Sequence, residues 1–262
     1  MELRALADGD FGAVHAAFVE AFSDYVVKLA PTPEGLREML TRRGWVPEVS
    51  VGAYDGSRLV AFTLNALDGD AAYDSGTGVV PSHRRRGLAR EMMEWSRARL
   101  RDAGARTYTL EVLEANHSAA ALYRQCGFTE TRRLQCWSYD SATLAAPGHG
   151  NIEPVWCDTA PSWQNSLSSV RRARDPHAIL GDHHSFAVVF PSNGDVPLLA
   201  VDPAHRRRGL GRQLLGAARS VAGKPLRIMN VDDGQSGITA FLEHAGATRT
   251  VAQREMVLTI TP

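Results

Sequence analysis

Two stretches of the chain carry almost the same eleven residues: Val79-Val-Pro-Ser-His-Arg-Arg-Arg-Gly-Leu-Ala89 and Val201-Asp-Pro-Ala-His-Arg-Arg-Arg-Gly-Leu-Gly211, an offset of 122 residues. Each follows an apolar run with strand character and opens a run of helical periodicity. A strand–loop–helix turn of this kind is suited to binding an anion. The first backbone N–H groups of a helix have no intrahelical partner, and the helix dipole adds partial positive charge at that end. Gly87 and Gly209 let the backbone approach a pyrophosphate without an intervening Cβ, while Ala89 and Gly211 keep the next turn small. The dipole contributes only about 0.3–1 kcal/mol per exposed negative charge. The flanking arginines, Arg84, Arg85 and Arg86 in one copy and Arg206 and Arg208 in the other, therefore matter as added charge.

The elements needed to hold these loops are legible from periodicity and breakers. A strand is predicted around Glu2–Leu6 and a helix from Phe11 to Tyr25. Pro31-Thr-Pro33 starts a second helix that ends near Gly44. Strands follow at Glu48–Tyr54 and Leu59–Leu67, joined by the hairpin-type turn Asp55-Gly-Ser, and a third at Ala72–Val80 leads into the first loop. The helix after it lines up Leu88, Met92, Trp95 and Leu100. A strand at Arg106–Leu113, a helix at His117–Cys126 and a strand at Thr131–Tyr139 complete the first half. Ser141–Gly150 is small and breaker-rich and reads as a linker. The second half repeats the later part of this plan in fewer residues. It runs from a helix near Ser162–Ala173 through three strands to the second loop and its helix, then a strand, a helix at Ile238–His244 and a strand at Thr248–Ile260.

Composition bounds the class. At 262 residues, 44% hydrophobic and 22% charged, the chain is of ordinary globular type, long enough for two domains. Acidic and basic residues balance at 29 each, which argues against nucleic acid as a partner. Only Lys28 and Lys224 are lysines, and this Ala- and Arg-rich usage fits the coding bias of a GC-rich bacterial genome. Three cysteines, Cys126, Cys136 and Cys157, show no metal-ligand spacing and read as reduced thiols. No signal-peptide core or membrane-length apolar run is present, so a cytoplasmic protein without membrane contact is expected. His177 and His183-His184 have no cysteine or carboxylate spacing that suggests a metal, and none is expected.

The pattern V-x-P-x-x-R-x-x-G-x-A/G resembles the acyl-CoA pyrophosphate loop of the GNAT superfamily of N-acetyltransferases. Asn116-His-Ser-Ala-Ala-Ala-Leu-Tyr123-Arg-Gln-Cys-Gly127-Phe128 is similar to that family's N-x-x-A-x-x-L-Y-x-x-x-G-F segment. The resemblance implies an α+β fold of two tandem GNAT-like domains, each a mixed, mostly antiparallel sheet with flanking helices and splayed central strands. On this reading residues 1–140 form the catalytic domain, 141–150 the linker, and 151–262 a shorter, degenerate domain. The resemblance further implies acetyl-CoA as acyl donor, with Val79 and Val80 presenting backbone groups to its pantetheine arm. Arg84, Arg85, Arg86, Gly87, Leu88, Ala89 and Arg90 would cradle the pyrophosphate. Asn116 would touch the cofactor near its thiol end and Tyr123 would sit by the sulfur. Val201, Arg206, Arg208, Gly209 and Gly211 are the equivalents in the second copy.

The chemistry of amine acylation makes sense of these positions. Attack on a thioester expels a thiolate, which a phenol of pKa about 10 can protonate. An amine of pKa about 10.4 is almost wholly protonated at pH 7, at a penalty of roughly 4–5 kcal/mol, so a carboxylate base near the splayed strands is expected. Glu111, in the otherwise apolar strand Leu110-Glu-Val-Leu113, and Asp74, five residues before Val79, are the candidates. Glu111 is the more notable, because a carboxylate in such a strand needs a partner or a task, and an ion pair with an arginine would serve equally. Asp74 can instead shape a turn with Gly76. A backbone N–H near Val80 would stabilise the oxyanion. Phe22, Asp24 and Tyr25 offer aromatics and a carboxylate to a cationic amine, or simply pack.

Aligning Gly127 with Gly246 places Leu242 where the first half has Tyr123, Gln235 for Asn116, Asn230 for Glu111 and Ala247 for Phe128. The second half keeps the anion loop without the phenol or the strand carboxylate, which puts the active site in the first domain. Two other readings stay open: a non-catalytic acyl-CoA-binding or regulatory protein, and a tandem enzyme whose second domain is the active one. The acceptor, a small-molecule or peptide amine, is not legible. Nor is the choice between a monomer with an intrachain pseudo-dimer and a homodimer.

Overall fold

Local sequence accounts for the element ends in the computed structural model, which describes residues 1–25, 29–141 and 160–261. The first half contains β1 (Glu2–Ala5), α1 (Phe11–Ala21), α2 (Pro33–Arg43), β2 (Val51–Asp55), β3 (Arg58–Asp68) and β4 (Ala71–Val79). After the first loop come α3 (Leu88–Asp102), β5 (Thr107–Leu113), α4 (His117–Gln125) and β6 (Thr129–Tyr139). Thr32 caps α2 by accepting from the Gly35 N–H at 3.1 Å, Pro33 occupies its first position, and Gly44 ends it in the left-handed region at φ 84°. Helix α1 stops at Ala21, short of the Tyr25 expected from its pattern.

The second half supplies α5 (Leu167–Arg172), β7 (Ala178–Asp182), β8 (Ser185–Phe190), β9 (Asp195–Val201), α6 (Leu210–Ala222), β10 (Leu226–Asp232), α7 (Ser236–Ala245) and β11 (Thr248–Thr259). Residues 142–150, which hold nearly all of the expected linker, and Cys157 lie outside the described residues. Among the described residues no helix is long and apolar enough to cross a membrane.

The chain forms two compact units that exchange strands. The first comprises residues 1–112, 116–131 and 255–262, and the second residues 113–115 and 132–254. In the first unit the strand order is β1-β2-β3-β4-β5-β11, with β11 represented by its C-terminal end. β1 to β4 pair antiparallel, and β4 and β5 are parallel. Side-chain alternation sorts the faces. Tyr54, Phe62 and Leu64 pack with Val14, Phe18, Leu36 and Leu40 of α1 and α2. Ala53 and Ala61 point the other way, onto Leu88 and Met92 of α3. Met256, Leu258 and Ile260 join Tyr108, Leu110, Tyr123 and Phe128 in a further cluster, so the last residues of the chain complete the first unit's core.

The second unit runs β11-β6-β10-β9-β8-β7, with β6 donated from the first half. Trp137 and Tyr139 of β6 pack against Leu214, Leu215 and Ala218 of α6 and against Leu242 of α7. The opposite face is covered by Val170 of the six-residue α5, on Phe186, Val188 and Leu198. That one short helix stands where the first unit has α1 and α2.

The central strands splay in the first unit. β4 and β5 pair over Ala71–Tyr73 and Thr107–Thr109, yet both strands continue, to Val79 and Leu113. Register with β3 skips Ser75, because Leu64 faces Gly76 and Asn65 faces Asp74. This β-bulge re-aims the side chains of β4 beside the opening.

Candidate active site

The two loops have the same conformation. Pro81–His83 and Pro203–His205 each form one 3₁₀ turn, and Gly87 and Gly209 precede their helices at φ 83°. Arg85 and Arg207 occupy the left-handed region at φ 65° and 64°, where a residue with a Cβ is disfavoured by about 1–2 kcal/mol. Strain repeated at the same offset belongs to the loop design. Left-handed residues within such a turn direct successive amides to one side, forming an anion-binding concavity at the helix start.

The arginines also fasten the loops. Arg84 Nε donates to the Val79 carbonyl and Arg206 Nε to that of Val201, at 3.2 and 2.9 Å. Arg86 and Arg208 donate to the carbonyls four residues earlier, Ser82 and Ala204. Arg84 has a second commitment in the first unit. Its guanidinium pairs with both Asp24 carboxylate oxygens, at 2.6 and 2.8 Å, and reaches the Ala21 carbonyl. That pairing holds the Asp24 carboxyl below its ordinary range and ties the end of α1 to the loop. Arg85, Gly87, Ala89 and Arg90 remain at or near the surface around the start of α3, whereas Leu88 turns into the core.

Val80 is fully buried and its N–H donates to the Val60 carbonyl at 2.9 Å, so it does not offer that group to a ligand. Successive strand residues alternate in direction, so the N–H of Val79 faces away from β3, into the splay.

At the splay the bulge brings Asp74 and Thr77 of β4 to the side occupied by Tyr123 of α4. Asp74 Oδ1 accepts from the Gly76 N–H and Oδ2 from the Thr77 hydroxyl, both at 2.8 Å. Burial raises the Asp74 carboxyl to about 6, although the Thr77 and Gly76 hydrogen bonds and the Arg43 charge oppose the rise. Burial also pushes the Tyr123 phenol well above its usual value, the Asp74 charge adds to the effect, and the Thr77 hydroxyl bonded to it counters in part. A protonated phenol and a carboxylate titrating near neutrality are thus linked through one threonine.

Glu111 lies on the other face of β5, where the Tyr73 hydroxyl donates to it at 3.1 Å. Asn116 caps α4, accepting from the Ala119 N–H at 3.2 Å, while its Nδ2 reaches the Tyr25 hydroxyl at 3.5 Å. Phe22 packs at a tilt against Phe18 and Phe62 at the edge of the core and meets Tyr25 edge-on. Thr77 and Arg43, whose guanidinium holds the Ser75 carbonyl at 2.7 Å, were not singled out by sequence reasoning. The signal that could have found Thr77 is Asp74-Ser-Gly-Thr77, whose glycine marks a bulge two residues after a carboxylate.

The second unit has different contents behind its loop. Leu242 is fully buried in the core, Gln235 precedes α7 without a side-chain cap, and Asn230 sits at φ 55°. Asn230 Oδ1 accepts from Gln253 Nε2 at 2.6 Å in a buried polar group that includes Cys136. Gly211 is required by packing, since a Cβ there would fall 2.9 Å from the Phe241 ring.

Residues 15–128 match the model of the Acetyltransferase (GNAT) family. No curated protein matches the sequence significantly. The fold is similar over the whole chain to that of a tandem GNAT protein from the clavulanic acid biosynthesis pathway, with TM-score 0.73 and 18% identity, covering 100% of this chain and 99% of that one. A GCN5-related N-acetyltransferase from Sphaerobacter thermophilus aligns with TM-score 0.69 and 14% identity over 100% of this chain and 96% of its own. The GCN5-related glucosamine N-acetyltransferase region of a fungal multi-domain GH3 β-N-acetylglucosaminidase aligns with TM-score 0.72 and 14% identity over 98% of this chain and 38% of its own. At these identities the likeness is one of fold. The loop, the splay and the Tyr123-bearing helix all fall within or beside the matched segment, and the chain has a tandem GNAT fold whose residues 15–128 match the GNAT acetyltransferase family.

Proposed function

We propose that this protein transfers an acetyl group from acetyl-CoA to an amine, with the active site in the first unit and the second unit non-catalytic. The observation that carries the reading is the Tyr123–Thr77–Asp74 group at the open end of β4 and β5, one strand length from a strained anion loop. The amides at the start of α3, with Arg85, Arg86 and Arg90 around them, hold the pyrophosphate. The Val79 N–H faces the thioester carbonyl and donates to its oxygen as charge develops there. Asp74, rather than Glu111, accepts the proton of the attacking amine, directly or through water, and a pKa of about 6 suits that task at neutral pH. As the C–S bond breaks, Tyr123 gives its proton to the leaving thiolate. Arg84 and Asp24 hold α1 against the loop, while Tyr25 and Asn116 stand at the acceptor side of the opening.

The test is thiol release from acetyl-CoA with a panel of small-molecule and peptide amines. Wild-type chain is expected to turn over, and Tyr123→Phe to lose about 10²-fold in kcat, within the usual contribution of a positioned acid, with CoA affinity unchanged. CoA binding without turnover of any amine would instead favour a non-catalytic acyl-CoA-binding protein. Undiminished turnover in Tyr123→Phe would remove the phenol from the mechanism.

A further inference from the structure

We propose that His184, Asp202 and His205 of the second unit form a binding site for a divalent transition metal of the zinc class. One ligand atom from each residue, all lying within 4.8 Å of one another, meets at the base of the second loop. Asp202 Oδ2 is 3.6 Å from His205 Nδ1 and 3.9 Å from His184 Nδ1. These separations are too long for hydrogen bonds and close to the roughly 3.3 Å between ligand atoms of a tetrahedral zinc ion with bonds near 2.0–2.1 Å. His205 Nδ1 is buried and makes no hydrogen bond, so an imidazole nitrogen faces a carboxylate across a gap that neither residue fills.

The rest of the site is fixed by the backbone. Asp202 Oδ1 is already committed, accepting from the Ala204 N–H at 2.8 Å, which leaves Oδ2 to the histidines. The Asp202 N–H donates to the His184 carbonyl at 2.8 Å, and the His205 N–H to the Asp202 carbonyl at 2.8 Å. Three ligands from the β7–β8 turn, the end of β9 and the loop are thus held in register. The His184 and His205 rings stack at 4.0 Å, and each must tilt about its side-chain bonds to aim its lone pair at a shared ion. All three side chains are partly exposed, which leaves room for that rotation and for water in the fourth position. Two imidazoles, which are borderline nitrogen ligands, beside one carboxylate suit zinc, cobalt, nickel and copper better than calcium or magnesium, which take oxygen ligands. Linear spacing does not show this group, because 17 residues of hairpin lie between His184 and Asp202.

The first unit provides the internal control. Val80 stands where the second unit has Asp202, and His83 is already hydrogen-bonded to Ser82 and Asp55 at 2.9 and 3.2 Å. Calorimetric titration of the untagged full chain with Zn²⁺, after chelation and dialysis, tests the site. A cobalt spectrum with the absorption of a tetrahedral ion supplies a second readout. One ion per chain is expected. His184→Ala, Asp202→Ala and His205→Ala are each expected to weaken binding by more than about tenfold, with unchanged circular dichroism. His83→Ala and His183→Ala are expected to bind as wild type does. No binding by the wild type, or equal affinity in wild type and the three ligand variants, would overturn the proposal.

Discussion

The first and second loops share their left-handed arginines and the guanidinium bonds that fasten them, yet what lies behind them differs. Behind the first stand a buried carboxylate, a threonine and a phenol. Behind the second stand a leucine and a neutral polar group of Asn230, Gln253 and Cys136. An anion-binding turn is a local backbone device that survives whatever packs around it. The proton transfer proposed for the first unit needs side chains from several elements to converge, and the second unit has Leu242 where the first has Tyr123. The loop therefore reports a shared fold, and the side chains behind it report the chemistry.

The strongest way to break this contrast is to ask whether the halves are separable. Ending the chain at Arg254 removes Met256, Leu258 and Ile260 from the first unit's core and strips β5 of most of its β11 neighbour, leaving β4 on its other side. Each buried aliphatic is worth about 2–5 kcal/mol, so the three together, about 6–15 kcal/mol, are comparable with a typical domain stability of about 5–15 kcal/mol. Loss of the cooperative urea transition is expected. A truncated chain that melts like the full one would show that the exchanged strand is dispensable.

Chemistry comes next in size. Tyr123→Phe is expected to cost about 10²-fold in acetyl transfer, while Leu242→Tyr in the second unit is expected to add none, because among the described residues no carboxylate there matches Asp74. Amine-dependent thiol release measures both.

Asp74 sharpens the contrast further through pH. Its carboxyl titrates at about 6 in the folded chain against an ordinary 3.8, so folding favours its protonated form. Burial carries no ionisation penalty below pH 3.8, an increasing one between 3.8 and 6, and the full one above 6. Two pKa units correspond to about 3 kcal/mol. Asp74→Asn is expected to gain about that much more stability over wild type at pH 8 than at pH 4, in denaturant melts at each pH. Wild-type kcat/KM is expected to rise as pH passes through about 6, and the same variant is expected to lose that rise.

The smallest effects compare the loops directly. Gly87→Ala and Gly209→Ala each place a Cβ at φ 83° with no atom closer than 3.7 Å around either, so each is expected to cost about 1–2 kcal/mol of stability. Only Gly87→Ala is expected to weaken CoA binding in titration calorimetry. An equal loss from Gly209→Ala would show that the second loop holds the donor too.

Sequence alone determined the duplication, the loops and their glycines, the caps of α2 and the family likeness, because these rest on neighbouring residues and on periods that local chemistry imposes. It pointed to Tyr123 through a linear motif. Tertiary structure decided which carboxylate joins it. Glu111 seemed exceptional because its strand is apolar, but alternation turns it toward Tyr73, while the Ser75 bulge re-aims Asp74 and recruits Thr77. A one-residue bulge inverts which side chains share a face, and nothing in local propensity announces it. The strand exchange that closes each unit, and the gathering of His184, Asp202 and His205, likewise depend on pairings between residues far apart in the chain.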